Sequence, residues 1–152
     1  MDMACMVRFT LRNLRLFARF LAILVPGLGA SPVVAQDLLG SYYAEIAPQD
    51  RQNSSGMTLT NAGDILQQDR ANVHRFGVRQ PGDQVDRFFA SQDQRSRLPT
   101  LFASGSINPA TLSMILEPAV GSVQLLILVC GRNDRIAYLA VGPAEAAVPL
   151  NC

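Results

Sequence analysis

The stretch SVQLLILVCGRNDRIAYLAVG, residues 122–142, constrains the fold more than any other part of the chain. Its first nine residues, 122–130, are apolar on both faces, as expected of a central strand covered on both sides. GRND, 131–134, has the composition of a turn. RIAYLAVG, 135–142, then returns as the hairpin partner.

The remaining segments must supply the layers around that hairpin. In LLGSYYAEI, residues 38–46, Tyr42, Tyr43 and Ile46 favour a strand that Gly40 introduces. APQDRQNSSG, 47–56, is a loop, and MTLT, 57–60, is expected as a short second strand. Asn61 can cap a helix with Asp64 three residues on. Ile65, Leu66, Val73 and Phe76 then follow helical spacing, so the pattern predicts a helix over 62–76. Gly77 suits its left-handed end, with Val78 packing back on Val73. Residues 78–105 are expected to be helical in pieces. Asp83 is a cap, Val85, Phe88 and Phe89 form an apolar stripe, Ser91 with Gln94 opens a short turn, and Pro99 stops it. TLSMILEP, 111–118, alternates apolar and polar and is expected as a strand. The order strands, helices, strands gives the α+β class: a small single domain, 36–152, with an antiparallel sheet and two or more helices on one face. The alternative is a small, partly open β-barrel with one helix.

The first 35 residues read differently. Arg8, Arg12, Arg15 and Arg19 precede a short apolar run, 20–30, which Pro26 and Gly27 interrupt. Val33 and Ala35 occupy the small −3 and −1 positions before Gln36. A basic region, a short apolar region and a small-x-small site predict a signal peptide, 1–35, that is cleaved and leaves no membrane insertion. The remaining 117 residues carry nine arginines, eleven acids and no lysine, a net charge of −2. The formal +1 of the whole chain is therefore no sign of nucleic-acid binding. Arginine without lysine suits a GC-rich bacterial genome, and export then means a periplasmic or secreted protein.

Export also bears on the cysteines. Cys5 leaves with the signal, and Cys130 and Cys152 remain as a pair in an oxidising compartment, where a disulfide is expected. A bridge there closes a 21-residue loop, worth about 3 kcal/mol by chain entropy. Two cysteines and one histidine fall short of a zinc ligand set, and no cofactor motif is present.

Chemistry concentrates in QDRANVHRFG, residues 68–77, around His74, the chain's only histidine. Helical spacing turns Asp69 inward, between Ile65 and Val73. Arg70 and His74 share a second face, and Arg75 lies on a third. In the simplest reading Asp69 is a buried carboxylate paired with an arginine, and its neighbours meet water. In a second, Arg70, His74 and Arg75 recognise an anionic group, since arginine offers a rigid fork of donors. In a third, His74 and Asp69 act as general acid and base, but no nucleophile motif accompanies them. The expected function is that of a small exported bacterial binding module, without catalysis, for a protein or envelope component. The alternatives are a small periplasmic hydrolase using His74 with Asp69, and a structural component of the envelope.

Overall fold

A computed structural model of the chain describes residues 36–145 and 150–152. The expected signal peptide, 1–35, lies outside the described residues. β1 (Asp37–Ile46), β3 (Val123–Arg132) and β4 (Arg135–Pro143) are long strands, and β2 (Ser106–Ile107) is a two-residue strand. They form one open sheet in the order β1-β3-β4-β2. β3 runs antiparallel to both neighbours, whereas β2 lies parallel to β4. The domain is thus α+β with a mixed sheet, antiparallel except at β2, and the barrel alternative does not hold.

The hairpin forms as the sequence predicts. Asn133 and Asp134 both take positive φ, 50° and 60°, the conformation that a two-residue turn needs to match strand twist. Gly131 lies at a bulge where a Cβ would come 2.0 Å from the Arg135 carbonyl oxygen, so no larger residue fits. β3 is covered on both faces. Leu125, Ile127 and Val129 join the main core with Tyr42, Ile65, Leu66, Phe89 and Leu139. Leu128, Cys130 and Ala140 form a smaller cluster on the other face, under Tyr138, Leu150 and Cys152. The Cys130–Cys152 disulfide is present, with Cα atoms 5.5 Å apart.

Helices α1 (Ala62–Ala71), α2 (Gln92–Ser96), α3 (Leu98–Ala103) and α4 (Pro109–Leu116) lie on the core side. Asn61 caps α1, its Oδ1 accepting the Gly63 amide at 2.8 Å. A wider, π-type turn, Asn72–Phe76, continues α1 to Gly77, which ends it at φ 66°. Val78 stays 47% exposed, and its amide donates to the Asn72 carbonyl at 2.9 Å, closing the helix end. Ser91 opens α2 as predicted. Among the described residues no helix is long and apolar enough to cross a membrane.

Three expectations fail. Residues 111–118 lie mainly in α4: Asn108 caps it, Pro109 starts it, and Leu112 and Ile115 face the core from a helix. The alternation of that short apolar run also fits a helix, and the cap with its following proline decides between them. MTLT makes only an isolated bridge, between Thr58 and Gln52. Residues 83–90 form no helix. Asp83 caps none, Val85 is 61% exposed, and Pro99 lies in the first turn of α3, where its missing N–H costs nothing.

Candidate functional site

Residues 77–91 run from Gly77 to the cap of α2 with no helix or strand, yet Gln80, Asp83, Asp86 and Phe89 within them are buried. Such a long irregular segment needs an anchor for its polar groups, and Arg70 on α1 supplies it. The Arg70 side chain is fully buried. Its Nε donates to Asp69 Oδ2 at 2.7 Å, Nη2 to Asp83 Oδ1 at 3.1 Å, and Nη1 to Asp86 Oδ2 at 3.2 Å and the Gln84 carbonyl at 2.8 Å. Its guanidinium carbon lies 4.8 Å from the centre of the Tyr42 ring. Every nitrogen of the guanidinium that can donate is engaged.

The carboxylates carry the connection onward. Asp83 Oδ1 accepts the Glu45 amide at 2.9 Å and Oδ2 the Gln80 amide at 2.8 Å. Asp86 Oδ1 accepts the Phe88 and Phe89 amides at 2.8 and 2.7 Å. Gln84 pairs with Tyr43 through its side-chain oxygen and its own amide. The irregular segment is thereby fastened along the outer edge of β1, whose unpaired backbone groups would otherwise be open to another strand. A second tie lies behind α1: Asn72 Nδ2 donates to Asp50 Oδ1 at 2.7 Å, and Asp50 accepts the Ala47 amide.

One guanidinium faces three carboxylates here, so negative charge is in excess. Burial works against the Arg70 cation, but the adjacent acids, Asp69 first, more than offset it and raise its pKa. The excess falls on Asp69. Burial pushes its pKa up to about 8 despite the opposing pull of Arg70. Asp69 is also the only one of the three whose second oxygen, Oδ1, is closed from solvent without a partner among the described residues. A proton on Asp69 is the cheapest way to reduce the buried charge. Burial likewise raises Asp50 and Tyr42.

The three residues expected to recognise an anion separate. Arg70 is enclosed. His74 has a side chain only 7% exposed, and its Nε2 lies 2.9 Å from Asp86 Oδ2, not beside Asp69. The expectation that it faces water fails because Asp86 folds over it. Arg75 is exposed, with its guanidinium 5.0 Å from the Phe76 ring centre. Among the described residues no group of three or more His, Cys, Asp or Glu side chains is arranged to hold a metal ion. Sequence reasoning missed Tyr42, Asp83 and Asp86 as members of the cluster. The signal for Asp86 was present: an Asp ahead of two aromatic residues can turn the chain by accepting their amides.

Three surface clefts lie away from this cluster, and none is lined by Asp69, Arg70 or His74. The largest, about 600 Å³, lies between Glu45, Gly82, Gln124 and Glu145. A second, about 320 Å³, is lined by Arg75, Phe76, Gln67, Gln92 and Arg95 among others. Comparison with protein-family models, with curated proteins and with solved structures found no match to this chain.

Proposed function

We propose that this protein is a small exported bacterial module that acts by binding a protein or envelope component and has no catalytic activity. One observation carries the reading. Asp69 and Arg70, two of the chemistry-bearing residues around the only histidine, are spent on each other and on the fold, whereas Arg75 lines an open cleft. Hydrolysis by His74 with Asp69 draws less support, because Asp69 is bonded to Arg70 and His74 to Asp86. Export is supported by the basic and short apolar N-terminal pattern and by the disulfide. In that reading the mature chain begins at Gln36 and works in the periplasm or outside the cell. An intact mass of the exported protein that still includes residues 1–35 would overturn it.

The binding reading is tested in living cells with a photo-crosslinking residue placed at Gln67 and, separately, at Gln124, one in each of the two larger clefts. A discrete protein or envelope adduct at one of them, and none at exposed Thr100 on α3, which lines none of the three clefts, is the expected result. No adduct at either cleft would sink the proposal.

A further inference from the structure

The domain buries three arginines besides exposing others, and they differ in how completely they are used. Arg51 donates from Nε to the Ile115 carbonyl at 2.8 Å, from Nη1 to Gly121 at 2.6 Å and from Nη2 to Met114 at 3.2 Å, satisfying the end of α4. Arg70 likewise spends all three nitrogens. Arg95 is also buried, at 7% exposure, but only its Nη1 is engaged, by the Phe89 carbonyl at 3.0 Å and the Ala90 carbonyl at 2.6 Å. Its Nε and Nη2 make no hydrogen bond to the described residues, and neither is closed off from solvent. No carboxylate among the described residues lies within ion-pair distance of it.

A cation held in this way, with donors left open to the surface, is placed to take an acceptor from outside the chain, and its surroundings say which kind. Arg95 lines the 320 Å³ cleft together with Arg75. Two arginines line it with a single acid, Asp64, which is in no ion pair with the described residues. Phe76, 48% exposed, and Leu59 provide an apolar wall beside them. Arg95 is held still by its two carbonyls, so little freedom is lost on binding. Arg75 lies over the exposed Phe76 ring and brings a second guanidinium to the lining of the cleft.

Building on the proposed binding function, we infer that the Arg95–Arg75 cleft takes a carboxylate carried on an apolar body, as presented by a peptide C-terminus or an acidic side chain beside an aromatic one. The fork of Nε and Nη2 on one immobile guanidinium matches the two oxygens of a carboxylate. The wall of Phe76 and Leu59 takes the apolar part.

The test is an NMR titration of isotopically labelled protein purified from its producing cells, following the Arg95 Nε–H signal. Three probes are compared: N-acetylphenylalanine, its uncharged amide and inorganic phosphate. The acid is expected to shift the Arg95 signal saturably, with the amide weaker by roughly tenfold or more, the scale of one charge-assisted pair. Arg95→Gln, followed through the Gln67 and Phe76 backbone amides that line the same cleft, should abolish the difference between acid and amide. Arg75→Gln, at an exposed position that should leave folding intact, should weaken the acid several-fold. Equal binding of acid and amide, no binding of either, or a response to phosphate alone would each overturn the inference. A crosslinked adduct at Gln67 with no response to the acid would reject the carboxylate while leaving the binding function in place.

Discussion

Arg70 and Arg95 are both buried arginines on short stretches of helix, and they lead in opposite directions. Around Arg70 every nitrogen has a carboxylate or carbonyl, three acids converge on one cation, and none of the three clefts described above is lined by it. Around Arg95 the guanidinium is half spent and lines an opening. The first arrangement holds chain to chain, and the second leaves a place for another molecule. Burial of a charge therefore does not mark a functional site by itself. The count of unspent donors separates the two cases.

The largest effect that could break this contrast is at Arg70. Arg70→Met leaves three buried carboxylates without their cation and should cost about 3–5 kcal/mol in urea unfolding, or prevent folding. A small cost would mean that the cluster does not fasten the segment to the edge of β1. The disulfide provides a scale of similar size on the other face of the sheet. Cys130→Ser should destabilise by about 2–5 kcal/mol, and thiol counting on unreduced, denatured protein should find no free Cys130 or Cys152.

Asp69 sharpens the contrast through pH. Its carboxyl is raised from 3.8 to about 8 in the folded chain. Between those values the folded protein keeps a proton that the unfolded chain has released. The stability linked to that proton is complete below pH 4 and is lost as pH rises through 8. The slope can approach about 1.4 kcal/mol per pH unit. Asp69→Asn imitates the protonated acid, so it should flatten this fall and gain on the parent protein toward pH 9. An unchanged pH profile would mean that Asp69 is ionised in the fold. Arg95→Gln gives up the two carbonyl contacts of Nη1, one of them buried, and should cost about 1–3 kcal/mol, less than the loss of Arg70. His74→Ala removes one partner of Asp86 and should cost about 1–2 kcal/mol, more than an exposed histidine would.

Much of the scaffold is legible in the sequence because single local rules decide it. The hairpin at 122–142, the Asn61 cap, Gly77 as a helix end and the Cys130–Cys152 bridge each depend on a few adjacent residues or on a pairing with no competitor. Residues 111–118 were misread because an eight-residue apolar run satisfies two periodicities, and the deciding signal, Asn108-Pro109, lies just outside it. The inward turn of Asp69 and its pairing with an arginine were legible as well, from its spacing between Ile65 and Val73. That this arginine is its neighbour, Arg70, was not. Adjacent helical residues point in different directions, and Arg70 is drawn inward by Asp83 and Asp86, which lie 13 and 16 residues away. Arg95 is illegible for the same reason: its significance lies in what it does not touch, and a sequence does not record that.

The most direct test of the Arg70 cluster is amide hydrogen exchange in the irregular segment. The Gln80, Phe88 and Phe89 amides end on Asp83 and Asp86, and the Glu45 amide ends on Asp83. If Arg70 locks these acids in place, all four amides should exchange only on global unfolding, as slowly as the amides at the centre of β3, although three of them lie outside any helix or strand. Exchange of Gln80, Phe88 and Phe89 at the rate of an open loop, with β3 still protected, would contradict the account.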